Sequence, residues 1–483
     1  MRIKPKVLLI AIIAATGGLL FGFDTGVISG ALPFLKDNWA LDDQRISLLT
    51  TGVLFGAVVG ALFSGRLADR LGRKKMIIVN AVIFAVGAIG CGYAPSVGTL
   101  IAMRVLVGIA IGITSYVVPM YIAEISPVAH RGMLVTLNQL MITIGLLSSY
   151  IADYLFSNNA DPGSWRGMFL VGTAPAVVLL VGMFFLPETS RWLISKGRYA
   201  EGKKVLEQME EPDLVEPIFE EIRKDLEYGG AVEGRRVGGA MGIGGARRAV
   251  GTSNGVSRQT GWREVLQPWL RPALIITVGI FFFQQFSGVN TIIYYSPIIF
   301  KMAGITGNSA SILPAIVIGI VNVAACFVSV LYLDKVGRRR LYLIGISGMI
   351  PSLVLAGVCF FFRDRLGSSL IYLSVGSIVC FIFFINISLS PLGWLLISEI
   401  YPTSARSVGM SIGSLSHWGF NAIIAFTFLK MVNGLGLAAT FWVYAAVCVA
   451  GLVWGYYYIP ETKGRSLEEI EEHWRAGGNP RSL

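Results

Sequence analysis

The sequence is poor in the residues on which enzyme chemistry usually depends. Only 14% of its 483 residues are charged, and three are histidines. His130, His417 and His473 lie far apart, and the sequence contains no HExxH motif, no P-loop and no Ser, His and Asp arrangement typical of a triad. We therefore expect neither a catalytic site nor a bound metal or cofactor.

Cysteines are also few, and they follow no pattern. There are five of them, mostly within apolar runs, at Cys91, Cys326, Cys359, Cys380 and Cys448. An odd, scattered set of this kind favours neither a disulfide framework nor a CxxC metal site. We expect these residues to be structural.

Apolar residues, by contrast, are abundant. They make up 54% of the chain, and the mean hydropathy is positive, which is too apolar for one soluble core. Glycines recur four residues apart inside apolar runs, as at Gly52, Gly56 and Gly60, or at Gly108 and Gly112. Small residues at this spacing predict helices that approach one another closely in a bilayer.

Twelve apolar segments are long enough to cross about 30 Å of hydrocarbon. They begin near residues 7, 46, 76, 98, 133, 167, 271, 310, 341, 369, 407 and 437, so that six precede a long polar stretch and six follow it. The first comes after Arg2, Lys4 and Lys6, as in a signal peptide, but no small-residue cleavage site interrupts it. We predict that it is the first transmembrane helix.

Basic residues are distributed unevenly between the loops. With both termini in the cytoplasm, the inner loops contain 32 lysines and arginines and the outer loops 7. This asymmetry predicts cytoplasmic termini in a multi-pass protein of the plasma membrane. The net charge of +11 is then a signal of topology, and we expect the lipid bilayer, not nucleic acid, as the partner.

Composition also divides the chain into regions. We predict an N-terminal six-helix bundle over 1–187, a cytoplasmic linker over 188–270, a C-terminal six-helix bundle over 271–460 and a cytoplasmic tail over 461–483. Charges and helix formers over 191–228 predict short helices at the inner membrane surface. Eleven glycines and several arginines over 229–261 predict a disordered stretch.

Three polar signatures occur twice, once in each half. LADRLGRKK and LDKVGRRR stand at 67–75 and 333–340, AEISPVAHRG and SEIYPTSARSVG at 123–132 and 398–409, and PETSR and PETKG at 187–191 and 460–464. Their matching acids are separated by 265, 275 and 273 residues, which indicates a duplication with small insertions. We predict two halves related by an axis along the membrane normal, with a binding site between them near the midplane.

The repeated signatures place charges at matching positions. We predict a salt-bridge network at the cytoplasmic helix ends formed by Asp69, Arg73, Glu124, Arg131, Glu188, Arg191, Asp334, Arg338, Glu399, Arg406 and Glu461. Glu124 would pair with Arg131, and Glu399 with Arg406. Such bonds would hold an inner gate closed until the halves rock; the alternative is that these charges are solvated and only set topology.

Together these stretches resemble the sugar porter family of the major facilitator superfamily, in particular bacterial galactose- and arabinose-type sugar-proton symporters. The resemblance also includes GGLLFGFDTGVISGALPF at 17–34, NQLMITIG at 138–145 and FQQFSGVNTIIYYSP at 283–297. It implies an all-α membrane protein with twelve transmembrane helices in two pseudo-symmetric six-helix bundles. It also implies monosaccharide transport (a hexose such as galactose or glucose, or a pentose) by proton symport and alternating access, by a monomer.

Amide side chains are concentrated in the seventh span. Gln284, Gln285 and Asn290 lie within seven residues, and such polar groups are costly in a membrane unless they bind something polar. Amides beside an aromatic wall suit the hydroxyls and the apolar faces of a sugar. The alternative is that these amides only hydrogen-bond between helices.

The resemblance assigns further residues at matching positions. It implies that the amides that bind sugar hydroxyls are Gln139, Gln284, Gln285, Asn290, Asn322 and Asn421. It implies an aromatic wall at Trp394 with Phe21 beside it, and an outer gate at Tyr294 and Tyr295.

Two positions depart from the family pattern. Leu146 stands where many sugar porters have another glutamine, which removes a hydroxyl partner. His417 stands where asparagine, glutamine or threonine is commoner, and it either adds a polar group to the site or is a satisfied interior histidine. The particular sugar therefore stays open at this point.

Two charges lie inside apolar spans, at Asp24 and Arg104. An unpaired ion in the bilayer core costs at least about 2.5 kcal/mol on insertion scales, so we expect the two to pair. The resemblance implies that the aspartate takes the proton and that the arginine pairs with its ionised form. Separating the pair as the halves rock would change the proton affinity and couple the gradient to the sugar; a purely structural salt bridge is the alternative.

Three other functions compete with proton symport. A facilitative uniporter would use Asp24 and Arg104 only structurally. A nutrient sensor on a transporter scaffold usually has a long signalling tail, and the tail after Pro460 is short. A drug or organic-anion exporter would need a more apolar or more basic cavity than this amide-rich one.

Overall fold

The computed structural model describes residues 4–127, 130–237, 262–402, 405–465 and 467–483, without the side chains of 225–237, 262–263, 334, 407 and 467–468. Within these ranges the chain forms helices and no strand. Twelve helical segments are long and apolar enough to cross a membrane. The predicted all-α class and the number of spans are confirmed.

Spans 1 to 6 form the first half of the molecule. They are Pro5–Trp39, Asp43–Leu71, Arg73–Gly92, Val97–Ile125, Arg131–Phe156 and Pro162–Phe185. Span 6 consists of a 3-10 turn, Pro162–Ser164, and the helices Trp165–Val171 and Thr173–Phe185.

Spans 7 to 12 form the second half. They are Pro268–Met302, Asn308–Leu333, Arg338–Phe361, Ser369–Glu399, Val408–Leu435 and Leu437–Tyr458. The helices that contain spans 8 and 11 are slightly longer, Asn308–Val336 and Arg406–Leu435.

Two spans of the second half are broken near their middle. Span 7 consists of Pro268–Leu270, Arg271–Phe286 and Val289–Met302, and span 10 of Ser369–Ile387 and Leu389–Glu399. At the first break Gly288 has φ +86°, a left-handed conformation that favours glycine. Broken helices in transporters commonly carry the binding groups, because they free polar groups at membrane depth.

Shorter helices lie outside the spans. They are Ser190–Ser195, Tyr199–Met209, Pro212–Val237, Trp262–Val265, Arg363–Leu366, Leu467–Arg475 and the 3-10 turn Pro480–Ser482. The first three cover the region over 191–228 for which short helices were predicted. Of the stretch predicted to be disordered, residues 229–237 continue the helix that ends at Val237, and residues 238–261 lie outside the described part.

Glycines let the helices of the first half touch backbone to backbone. A Cβ at Gly56 would overlap the Val105 carbonyl, and one at Gly108 would overlap the Val53 carbonyl, so spans 2 and 4 are in close contact as the spacing predicted. Span 1 approaches span 5 in the same way along a row of glycines four residues apart. The members of this row are Gly18, Gly22, Gly26 and Gly30.

The two halves contact each other through spans 2 and 11, 5 and 8, and 1 and 7. Polar contacts join them at the ends of the spans farthest from the termini. Asn308 donates to Asp37 at 2.8 Å, Asn433 donates to Asp43 at 2.6 Å, and the Ser309 N–H donates to the Asn159 side chain at 3.0 Å. This end of the molecule is therefore closed.

Candidate functional site

The break in span 7 brings three amides together. Asn290 Nδ2 donates to Gln285 Oε1 at 2.6 Å, and Gln284 Nε2 donates to the Leu389 carbonyl at 3.3 Å, just beyond the break in span 10. Gln285 Nε2 lies 3.0 Å from His417 Nδ1. Gln284 and Gln285 are buried and Asn290 is half-buried. The cluster therefore lies where two broken helices meet span 11.

Aromatic rings enclose this cluster on one side. His417 is in contact with Phe281, Trp394 and Trp418, with ring centroids 5.4, 5.3 and 5.2 Å away. Phe21, from the other half of the molecule, lies against Trp418 at 5.3 Å. Trp394 therefore contacts His417 directly, whereas Phe21 lies near it through a contact with Trp418.

The His417 ring is part of the amide cluster. Because Nε2 of Gln285 can only donate, Nδ1 of His417 accepts this bond and the imidazole is neutral, with its proton on Nε2. His417 is half-buried, and its bond to Gln285 is consistent with both expectations for this residue.

The remaining predicted amides are distributed around the cluster. Asn421 Nδ2 donates to the Tyr294 hydroxyl at 3.1 Å. Asn322 is buried on span 8 and Gln139 is half-buried on span 5, at the contact between the halves. In the part of the chain that the structure describes, neither of these two hydrogen-bonds to the amides of span 7, and the Asn322 Oδ1 has no partner.

The two predicted gate tyrosines lie in the second part of span 7. Both are buried, and the Tyr295 hydroxyl donates to the Ala425 carbonyl at 3.0 Å while its ring stacks on Phe428. The Tyr294 hydroxyl accepts the hydrogen bond from Asn421, so this tyrosine joins span 7 to span 11.

Asp24 and Arg104 form the ion pair that the sequence predicted. Arg104 Nη1 donates to Asp24 Oδ1 at 2.6 Å, and both side chains are buried. Among the described residues, Asp24 Oδ2 and Arg104 Nε and Nη2 have no hydrogen-bond partner. A buried pair held by one bond leaves much of its desolvation cost uncompensated, so it can be separated more easily than a bidentate pair.

A network of charges joins three loops of the first half. Arg73 Nη2 lies 3.1 Å from Glu124 and 3.2 Å from Asp69, and the Thr189 hydroxyl donates to Glu124 at 2.6 Å. Glu188 accepts the backbone N–H groups of Arg73 and Lys74 at 3.1 Å. Burial raises the pKa of the Glu188 carboxyl, and these N–H donors partly offset that effect.

The second half repeats this network. Arg338 Nη2 lies 2.8 Å from Glu399, the Thr462 hydroxyl donates to Glu399 at 2.5 Å, and Glu461 accepts the Arg338 N–H at 2.8 Å. The predicted duplication therefore extends to individual contacts. The Asp334 side chain lies outside the described part of the chain.

The structure corrects the expected pairing within these networks. The acids pair with the arginine that begins span 3 or span 9, Arg73 or Arg338, in place of Arg131 and Arg406. The reason is position, since those two helices start directly beside the acid that ends span 4 or span 10. Arg131 is exposed, and Arg191 is exposed at the start of its helix.

Sequence reasoning missed a buried carboxyl within the spans. Asp153 lies near the end of span 5 and is fully buried. The signal was present, because an aspartate in an apolar run is the feature that singled out Asp24.

The sequence was then compared with those of known proteins. The profile of a family described as sugar (and other) transporter matches residues 10–474. The chain therefore belongs to this family of membrane transporters, as its motifs predicted.

Relatives match over almost their whole length. The chain is 37% identical over 464 residues to a putative metabolite transport protein of Bacillus subtilis strain 168, covering 95% of this chain and 93% of the relative. It is 36% identical over 478 residues to the arabinose-proton symporter of Escherichia coli strain K12, covering 98% and 94%. It is 35% identical over 482 residues to the galactose-proton symporter of the same strain, covering 99% and 97%.

A solved structure has the same fold. The inward open conformation of the xylose transporter XylE from E. coli matches with a TM-score of 0.78 and 26% sequence identity, over 97% of this chain and 100% of that one.

Proposed function

We propose that this protein takes up a monosaccharide together with a proton across the cell membrane by alternating access. The observation that carries the proposal is a neutral amide and imidazole cluster, walled by tryptophans, inside a bundle that also contains one separable ion pair. Relatives named for arabinose-proton and galactose-proton symport, and a structural neighbour named for xylose, support a pentose or hexose as the substrate.

In this proposal the sugar binds between the two halves. Gln284, Gln285 and Asn290 bind its hydroxyls, since amides supply donors and acceptors together, and Trp394 covers an apolar face of the ring. Gln139 and Asn322 add contacts from spans 5 and 8, and Asn421 and Phe21 complete the site. Leu146 is buried and contributes only an apolar surface.

The proton binds to Asp24. Arg104 holds the carboxylate ionised by a single bond, and loss of that bond as the helices shift leaves a buried charge that a proton neutralises. Span 1, which contains Asp24, packs on the second part of span 7, where Tyr294 accepts a hydrogen bond from Asn421, so a shift of span 1 reaches the sugar site. Tyr294 and Tyr295 then act as the outer gate.

In this proposal the two bundles rock against each other. The bundles over 1–187 and 271–460 move as units in a lipid bilayer, joined by the linker over 188–270, with the tail over 461–483 and both termini in the cytoplasm of a monomer. The two charge networks hold the inner ends of the helices in each bundle, and we propose that they support closure of the inner gate.

Uptake into proteoliposomes tests the proposal. Labelled galactose, glucose, xylose, arabinose and inositol are supplied with and without an inward pH gradient. We expect one monosaccharide to accumulate above equilibrium only with the gradient. Equal uptake in both conditions would favour a uniporter, and no uptake of any of the five would contradict a monosaccharide substrate.

The same assay tests the role of Asp24. We expect Asp24→Asn to abolish accumulation against a gradient but to retain exchange between sugar-loaded vesicles, because the neutral amide mimics the protonated acid. The control is Asp364→Asn, at a carboxyl that is 91% exposed in a loop. Unchanged accumulation by Asp24→Asn would exclude it as the coupling group.

A further inference from the structure

Asp153 is a buried carboxyl with no role in the site described above. It lies one turn before the end of span 5, Arg131–Phe156, and its side chain is fully buried. In the described part of the chain neither carboxyl oxygen makes a hydrogen bond of ordinary geometry, although the backbone of Gly30 lies close enough to interact with the carboxyl. Asp24 has an arginine partner; Asp153 has none among these residues.

The carboxyl lies beneath contacts that close the outer end of the molecule. Tyr150, one turn earlier on span 5, donates its hydroxyl to the Ile293 carbonyl of span 7 at 3.2 Å. On span 1, Ser29 is 3.1 Å from Ser296 of span 7 and directly precedes Gly30, against which Asp153 packs. Both contacts must separate when span 7 moves away to open the outer side.

The described surroundings of Asp153 offer a negative charge little beyond the backbone of Gly30. Spans 1, 4, 6 and 8 pack on span 5, and none of their described side chains forms an ion pair with Asp153. From span 1 the carboxyl meets Gly30, and Tyr150 on its own helix is an ionisable group close to it. An uncompensated carboxylate in a bilayer is costly, so the closed state requires the neutral acid.

We propose that Asp153 is a second proton-binding group, which takes up a proton when the outer ends of the two halves close and returns it to outside water when they open. When the outer end closes, the carboxyl is buried and is stable only in its protonated form. When it opens, water enters through the gap left by span 7 and the carboxyl can ionise. The inference rests on the proposed alternating access but not on the identity of the sugar.

Spin-label distances in the full chain test this without any sugar. In a variant with all five cysteines replaced, Tyr93→Cys and Ser368→Cys place labels on exposed loops of the two halves, and the protein is reconstituted in nanodiscs. Because opening releases a proton from a carboxyl that ionises once it is hydrated, raising the pH from about 6 to about 9 favours the open state by mass action. We expect the population with separated outer ends to rise several-fold over this range.

Substitutions then assign the titrating group. We expect Asp153→Asn, a permanently neutral isostere, to stay closed at every pH, and Asp364→Asn, at an exposed carboxyl, to keep the rise. If Asp153→Asn does not fold, Asp153→Glu should move the midpoint of the rise. A response in Asp153→Asn like that of the parent, a parent with no response, or an unmoved midpoint would each overturn the proposal. Because no sugar is present, absence of sugar transport leaves the result unaffected.

Discussion

At the scale of single residues, the imidazole of His417 decides how the amides of the site are oriented. Its Nδ1 accepts from Gln285, which leaves the Gln285 oxygen to accept from Asn290. The three groups therefore form a directed chain of hydrogen bonds, in which each member fixes the orientation of the next.

This chain leads to a prediction for position 417. We expect His417→Phe to raise the dissociation constant of the sugar about tenfold, since losing one buried acceptor costs on the order of 1 kcal/mol and frees Gln285 to rotate. His417→Asn restores an acceptor and should stay within about threefold of the parent. Isothermal titration measures both.

A glutamine outside the site provides the control. Gln44 is exposed at the start of span 2, so Gln44→Leu should leave binding unchanged. Equal affinities for the phenylalanine and asparagine variants at position 417 would show that the acceptor does not orient the site.

Many of the individual site residues could be predicted from the sequence. Asp24, Arg104 and the amides of span 7 stood out because polar groups are rare in apolar runs. The role of His417 did not, because whether a histidine in a span is satisfied depends on the groups that the fold places beside it. The partners of Glu124 and Glu399 were predicted wrongly for the same reason. Several arginines lie near each acid in the fold, and their spacing along the chain does not tell which one pairs with it.

At the scale of helices, the break in span 7 depends on one residue. Gly288 combines a φ of +86° with a Tyr444 ring packed where a Cβ would stand. The break separates Gln284 and Gln285 from Asn290 along the span, while the side chains of Gln285 and Asn290 remain within hydrogen-bond distance.

We therefore expect Gly288→Ala to lower the melting temperature by several degrees and to abolish transport. A left-handed alanine alone costs about 1 kcal/mol, and the overlap with the tyrosine ring adds to it. The thermal melt of the purified protein and the uptake rate measure the two effects.

A substitution at Gly304 is the control for Gly288→Ala, because it tests backbone strain without an overlap with a neighbouring side chain. It lies just after the end of span 7 with φ +101°, and no atom lies within 4 Å of the position a Cβ would take. Gly304→Ala should therefore cost less than Gly288→Ala and keep transport. A larger loss at Gly304 would contradict the importance of the ring contact.

The spans themselves were predictable, since length and hydropathy are local properties of the sequence. The position of the break in span 10, at Ser388, was not. A helix end inside a bundle is set by which neighbours can satisfy its freed polar groups, and those neighbours come from distant parts of the chain.

At the scale of the whole molecule, the two charge networks act within halves. Arg338 and Glu399 are largely buried and 2.8 Å apart, and their counterparts in the first half are similarly placed. The repeat in the sequence predicted this symmetry, because duplicated segments fold alike.

We expect Glu399→Gln to destabilise the protein by on the order of 3 kcal/mol, because it leaves the Arg338 guanidinium without its carboxylate. The thermal melt should fall accordingly, and transport with it. Asp364→Asn, which removes an exposed pair with Arg363, should change the melt by less than about 1 kcal/mol. Similar losses in the two variants would mean that the network is not a structural unit.

The polar contacts that join the two halves at the outer end differ from these charge networks. It consists of amides and carboxylates such as Asn308 with Asp37 and Asn433 with Asp43, which remain exposed to water. Each such bond contributes no more than about 1 kcal/mol. Breaking these rim contacts therefore costs little free energy compared with breaking a buried ion pair.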